Sequence, residues 1–185
     1  DEALALARDL ESVPHFHDLM PRQDRLSPDQ RQWRMFVLRA YGYDVTENAA
    51  RCPGLSALVR AAPEVQTACL SFLSPRKHVP THRGPFRGIT RFYMGLSVPL
   101  DEEGRPGVTL SIAGQDYLLG DGDGLLWDDT YPHSVRNRTD QWRVALLLDV
   151  YRERMPAPLR GLTNAVIRLT RNSIRRRNVF PDSLG

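Results

Sequence analysis

Only one lysine, Lys77, stands among the 25 basic residues of this 185-residue chain, so its positive charge is carried almost wholly by arginine. Guanidinium forks favour bidentate pairing with carboxylates and phosphates over generic solubility. Cysteine is nearly as scarce. Cys52 and Cys69 lack CxxC spacing and are too few for a disulfide scaffold or a zinc site, which predicts buried thiols in a reducing cytoplasm. No apolar run approaches the roughly 20 residues of a membrane-spanning helix, and no basic-then-apolar leader precedes Asp1. The expectation is a soluble, cytoplasmic chain, although a start at Asp rather than Met leaves room for an upstream segment. Internal repeats are absent, as are zinc-finger, helix-turn-helix and RNP signatures. The formal charge of +3 is modest, so nucleic acid is not an expected partner. A composition of 41% hydrophobic and 25% charged residues, with glycine and proline scattered, excludes a disordered or low-complexity filament and fits a single domain.

Three zones separate by periodicity. Residues 1–60 read as a helical cap: Leu4, Leu6 and Leu10, then Ser27-Pro28-Asp29-Gln30 as a helix start leading into Trp33, Phe36 and Val37. Residues 61–152 change to short β-rich runs at 68–72, 89–98, 108–112, 124–127, 134–136 and 143–150. Ile112-Ala113-Gly114-Gln115 reads as a hairpin turn, and the run 120–124 as a turn before the next strand. Many short strands in so few residues predict a mainly β fold, a sandwich or barrel of jelly-roll type. Residues 153–185 form a basic tail. Within it Leu159, Leu162, Val166 and Leu169 recur at helical spacing with Arg168, Arg171, Arg175, Arg176 and Arg177 alongside, which predicts an amphipathic helix able to touch an anionic membrane surface.

Of the five histidines, His78 and His82 precede the long strand near Ile89, and His133 follows the acidic pair Asp128-Asp129. In a jelly roll, strands distant in sequence lie side by side, so an early His and one about 50 residues later can share a metal such as iron. Taken alone, a His at a strand end is more often a satisfied structural residue than a ligand. The usual non-haem iron triad adds a carboxylate, commonly two residues after the first His, but here that position is Gly84. Arg91 and Arg143 sit in strands after these histidines. Buried arginines are unusual unless paired, so two facing a metal with no abundant acidic partners suggest a dicarboxylic ligand such as 2-oxoglutarate. Arg87, Arg136 and Arg138 read as surface residues.

These residues together resemble a known family. His78-Val79-Pro80-Thr81-His82-Arg83-Gly84-Pro85, then Arg91, Gly95-Leu96, Trp127-Asp128-Asp129-Thr130-Tyr131-Pro132-His133, Arg143 and Asp149-Val150 are similar in order and spacing to the aspartyl/asparaginyl β-hydroxylases. These are Fe(II)- and 2-oxoglutarate-dependent oxygenases on a double-stranded β-helix, and the similarity spans roughly residues 33–151. The resemblance implies a dioxygenase that uses O2 and hydroxylates an unactivated C–H bond, with His82 and His133 as iron ligands. It implies that Arg143 with Ser71 binds the distal carboxylate of 2-oxoglutarate and that Arg91 holds the end that chelates iron. Tyr93 stands where the family often has histidine, and Trp33 resembles a tryptophan that walls the cosubstrate pocket.

The animal members also lack the carboxylate ligand, so Gly84 is compatible with activity. The resemblance therefore leads us to expect that an aspartate introduced at Gly84 leaves iron binding intact. For substrate, the family implies an aspartyl or asparaginyl side chain or a related small or peptidyl molecule. Animal members have an arginine for the substrate carboxylate where this chain has Ile89. Pro85-Phe86-Arg87-Gly88 and Asp129-Thr130-Tyr131 look closer to a bacterial branch that 2-hydroxylates lipid A acyl chains, a branch that typically has Asp at Gly84. A halogenase, with halide at the open iron position, and a non-catalytic module holding an acidic ligand are the remaining alternatives.

Overall fold

A computed structural model of the chain describes residues 1–20, 23–29, 32–177 and 179–180. Helices α1 (Glu2–Ala7) and α2 (Phe16–Leu19) lead into strand β1 (Trp33–Ala40) and the short β2 (Tyr43–Asp44), followed by α3 (Thr46–Arg51) and α4 (Pro53–Ala61). Eight strands follow: β3 (Val65–Leu73), β4 (His78–His82), β5 (Ile89–Ser97), β6 (Val108–Ile112), β7 (Gln115–Leu118), β8 (Gly124–Trp127), β9 (His133–Asn137) and β10 (Arg143–Tyr151). The chain then runs into α5 (Ala157–Arg177).

The strands form a six-stranded sheet in the order β2-β1-β3-β10-β5-β8 and a four-stranded sheet in the order β4-β9-β6-β7. Counted from β3, the eight strands fall into antiparallel sheets of order 1-8-3-6 and 2-7-4-5. That is a double-stranded β-helix: the chain crosses between the sheets so that residues far apart in sequence become neighbours. The jelly-roll expectation holds, and so does the C-terminal helix.

One expectation fails. Trp33–Ala40 does not continue a helix begun at Ser27; it is a strand that pairs with β3 and widens the large sheet, and Gln30 lies outside the described residues. Trp33, Phe36 and Val37 do have helical spacing. However, a strand buried on both faces is also a continuous apolar run, and spacing alone does not separate the two. A bulge between Val37 and Arg39 completes the pattern, leaving Phe36 and Leu38 on one face and Met35 and Val37 on the other. The first 60 residues are thus a mixed segment. Strand β4 was also missed, since Pro80 cannot donate to a ladder; β4 is an edge strand, where that is tolerated.

The two faces of the large sheet bury different things. Phe36, Leu38, Leu70, Phe72, Val144 and Leu146 pack outward under Ala3, Leu6, Cys52 and Val59 of the N-terminal helical segment. Burying side chains of this size contributes about 1.5–3 kcal/mol each. Inward, Tyr93, Leu110, Ile112 and Ala145 close the space between the sheets with Trp127, Val135 and Leu147. The Ala113-Gly114 hairpin turn has both residues at positive φ, 51° and 87°, as a tight primed turn requires. Cys52 and Cys69 are free and buried, as expected. Among the described residues no helix is long and apolar enough to cross a membrane.

Candidate active site

The small sheet brings the end of β4 beside the start of β9, so His82 pairs with His133 across the ladder and the ring centroids lie 4.2 Å apart. Each ring is anchored alike: Nδ1 lies 2.8 Å from the Pro80 carbonyl in one and 2.9 Å from the Tyr131 carbonyl in the other. An imidazole that donates from Nδ1 keeps its lone pair on Nε2, the arrangement a metal-binding histidine needs. Burial holds both pKa values down. The backbone bonds oppose this only in part and the Arg91 charge adds to it, leaving His133 at about 4. Both rings are neutral and ligand-ready near pH 7. His78 takes no part; it points to Arg136 at the surface.

Local chemistry fixes the loops that carry these histidines. Asp128 accepts from the Thr130 backbone N–H and hydroxyl, turning the chain before His133, and Arg152 ties the other Asp128 oxygen at 2.6 Å. The loop after His82 is stitched to it: Gly84 N–H donates to the Asp129 carbonyl at 2.7 Å and Arg83 to the Thr130 carbonyl at 2.9 Å. At Gly84 the structure shows a neighbour that the sequence reading did not include. A Cβ built there would fall 2.1 Å from Cγ of Asp129 and 2.2 Å from each of its oxygens. The volume of the missing carboxylate is already filled by another carboxylate, from the loop before His133. An aspartate at position 84 therefore does not enter free space.

Asp129 is fully buried, and among the described residues neither oxygen has a hydrogen-bond partner; Arg91 Nη2 is 3.4 Å away. Burial raises its pKa to about 6 despite the Arg91 charge, with Asp149 and Asp128 adding to the rise. Arg91 also donates to Asp149 at 2.8 Å from Nε. Burial works against its charge, yet the two carboxylates outweigh it and the net shift is upward. Arg91 was expected to lack acidic partners, and it has two.

Arg143 differs. It is 3% exposed, donates from Nη1 to the Ser71 carbonyl at 3.1 Å, and leaves Nε without a partner. Among the described residues no carboxylate pairs with it, and burial pushes its pKa down. Its guanidinium lies 5.8 Å from the ring centre of buried Tyr93. Trp33 Nε1 donates to Ser71 Oγ at 3.0 Å, and its ring stacks on Phe16 at 4.0 Å. Trp33, Ser71, Tyr93 and Arg143 therefore lie together on the inward side of the large sheet, with the Trp127 ring 5.9 Å from His133 and its Nε1 also unpartnered. Arg87, Arg136 and Arg138 are exposed, as expected.

Asp129 and Asp149 were not singled out from sequence as site residues. The acidic pair before His133 was visible, but its burial against Gly84 was not. Among the described residues no third His, Cys, Asp or Glu joins the two histidines in a metal-ligating cluster. Even so, the donor set fits a metal such as iron: two neutral imidazoles with fixed Nε2 atoms. Facing them, the unpartnered Arg143 and Trp127 donors mark an interior built to receive a polar ligand.

A double-stranded β-helix thus pairs two histidines across its small sheet and holds a buried arginine on the large one. The chain belongs to the aspartyl/asparaginyl beta-hydroxylase family, whose model matches residues 1–153. It is 33% identical over 157 residues to an ornithine lipid ester-linked acyl 2-hydroxylase of Rhizobium tropici, covering 85% of this chain and 54% of that protein. It is 27% identical over 139 residues to the human aspartyl/asparaginyl beta-hydroxylase, covering 71% of this chain and 17% of that protein. The chain thus spans about half the length of the first relative and far less of the second. Among solved structures, a predicted oxalate decarboxylase of Thermotoga maritima matches at 16% identity and a TM-score of 0.45, over 65% of this chain and 82% of that one.

Proposed function

We propose that the protein is an Fe(II)- and 2-oxoglutarate-dependent hydroxylase acting on a lipid acyl chain. The observation that carries the cosubstrate is Arg143, a nearly fully buried guanidinium with no carboxylate partner among the described residues. A cation in that position is costly unless an anion joins it, and a planar fork suits a carboxylate. Iron with bound 2-oxoglutarate and O2 supplies the oxidising chemistry, releasing succinate and CO2 and placing one oxygen atom in a substrate C–H bond.

This chain's residues supply the rest. His82 and His133 hold the metal through Nε2, kept in place by the Pro80 and Tyr131 carbonyls. Arg143 takes the far carboxylate of the cosubstrate, and the Ser71 hydroxyl, already accepting from Trp33, has its own hydrogen free to donate to it. Trp33 and Tyr93 wall that end. Arg91 is oriented by Asp149 and Asp129 and presents its remaining donor capacity toward the histidine side. Asp129 supplies a negative charge behind the histidines without displacing a ligand.

The acyl substrate rests on two points. The ornithine lipid relative is the more similar of the two hydroxylases, and Ile89, where animal members have an arginine for the substrate carboxylate, is 1% exposed and presents no charge. The test is aerobic incubation with Fe(II), 2-oxoglutarate and acylated membrane lipids, followed by mass spectrometry, with His82→Ala as control. The expected result is succinate together with a lipid heavier by one oxygen atom. An oxygen gain on aspartyl peptides with none on lipids would overturn the substrate. Succinate no faster than in the control would overturn the enzyme reading.

A further inference from the structure

Helix α5 has 21 residues, six arginines and no acidic residue. Only one side of it is used by the fold. Ile167 and Thr163 are buried, Ile174 packs with Val37, Cys69 and Leu147, and Arg171 donates from Nε to the Tyr41 carbonyl at 2.8 Å. Thr163 also closes against Gly88, where a Cβ would fall 2.3 Å from its hydroxyl oxygen. These contacts settle which side faces the protein.

The opposite side carries Leu162 and Leu169, 61% and 66% exposed. They are seven residues apart and so lie nearly one above the other. Continuing by seven, the same line reaches Arg176; Arg168 and Arg175 lie about a quarter-turn round the outer side, and all three arginines are exposed. A leucine stripe flanked by guanidinium groups, with no carboxylate anywhere on the helix, matches the requirements of the bilayer interface. The leucines enter the acyl boundary, while the arginine stems lie along it and their heads stay among anionic headgroups. A second protein copy meeting it helix to helix would present an identical cationic face.

The position of α5 gives the surface a purpose. The side chains it packs on, Val37, Cys69 and Leu147, point to the inward side of the large sheet, and Leu147 also belongs to the interior cluster with Tyr93 and Trp127. The turn it clamps, Tyr41-Gly42, holds Tyr41 at a φ of 49°, strained for an aromatic residue. The Asp149 and Arg91 charges of the candidate site act on the Tyr41 hydroxyl. Helix α5 is therefore tied to the candidate site by its inner side and open to solvent on its outer side.

We infer that the outer face of α5, through Leu162, Leu169, Arg168, Arg175 and Arg176, docks the protein on membranes rich in anionic phospholipid. The inference stands on the helix itself and not on the acyl-hydroxylase reading, so the two fail separately. The test is co-sedimentation of the whole chain with vesicles of phosphatidylcholine alone and of phosphatidylcholine mixed with phosphatidylglycerol, at low and high salt. Two double variants accompany it, Leu162→Ser/Leu169→Ser and Arg168→Gln/Arg175→Gln. All four positions are exposed, and circular dichroism checks that the fold is kept.

Wild type should pellet with the mixed vesicles, remain in solution with phosphatidylcholine alone, and detach as salt rises. Each double variant should partition about tenfold more weakly, since several small interfacial contributions add to give the affinity. Equal binding to both vesicle types, or double variants that bind like wild type, would overturn the proposal. So would a dimer in sedimentation velocity that dissociates in the leucine variant, which would assign the face to a second copy.

Discussion

Filling the space at Gly84 tests the site more sharply than removing a histidine, because the structure predicts a clash rather than a gain. An alanine Cβ there lies 2.1 Å from the Asp129 carboxyl carbon, far inside any real contact. The Asp129 group is buried and, among the described residues, is paired with Arg91 alone, so it must shift or the loop must open. Overpacking of this kind costs about 1–3 kcal/mol. Gly84→Asp adds a second carboxylate beside the first in a dry site and should cost more, about 3–4 kcal/mol in total. For a chain of this size that lowers Tm by roughly 6–16 °C. Urea unfolding of the metal-free protein reads the cost, and calorimetric titration with Co(II) reads the effect on the metal site. In an Asp129→Gly background the same Gly84→Ala change should be nearly neutral, giving a coupling of about 1–3 kcal/mol. A Gly84→Ala protein within about 0.5 kcal/mol of wild type, with no coupling to position 129, would refute the filled-space argument.

Three further outcomes are expected. Arg143→Lys should weaken 2-oxoglutarate at least about tenfold while metal affinity holds, because an ammonium cannot replace the fork; anaerobic titration of the Co(II) form reads both, and an unchanged affinity assigns the carboxylate to another residue. Asp129, with its pKa raised from 3.8 to about 6, favours the proton in the folded state; its contribution is complete below pH 3.8 and is lost as pH rises through about 6. Metal-free Asp129→Asn should therefore lose less stability than wild type across that window, by up to about 3 kcal/mol, and parallel urea midpoints from pH 4 to 7 would contradict this. Burial pushes the Cys69 thiol up to about 12, so neither it nor buried Cys52 should react with a thiol reagent at neutral pH until urea unfolds the chain.

The jelly roll was legible because its strands are short and separated by turn chemistry, and the Ala113-Gly114 turn fell where the residues placed it. His82, His133 and Arg143 were legible as candidates because their order and spacing carry the resemblance, and the fold does bring the two histidines together across one ladder. Trp33–Ala40 was not legible as a strand, since burial on both faces erases the alternation that marks one. The partners of Arg91 were hidden for a different reason. Asp149 is its cross-strand neighbour on β10, 58 residues away in sequence, and only the strand order reveals the pairing.

Asp129 shows most clearly what topology adds to composition. In sequence it is one of two adjacent acids in a polar loop, and its neighbour Asp128 does behave that way, capping a turn and pairing with Arg152. One residue further along, the chain direction carries Asp129 inward to the spot that a side chain on Gly84 would need. The two loops are joined there by the bond from Gly84 N–H to the Asp129 carbonyl, so glycine at one position and aspartate at the other are a single solution to one packing problem. The site keeps a carboxylate beside its histidines, but its origin is the second histidine loop, and its orientation is set by Arg91. Because Arg91 is shared with Asp149, the charge near the two histidines is balanced by two strands of the large sheet and by the loop that leads into β9.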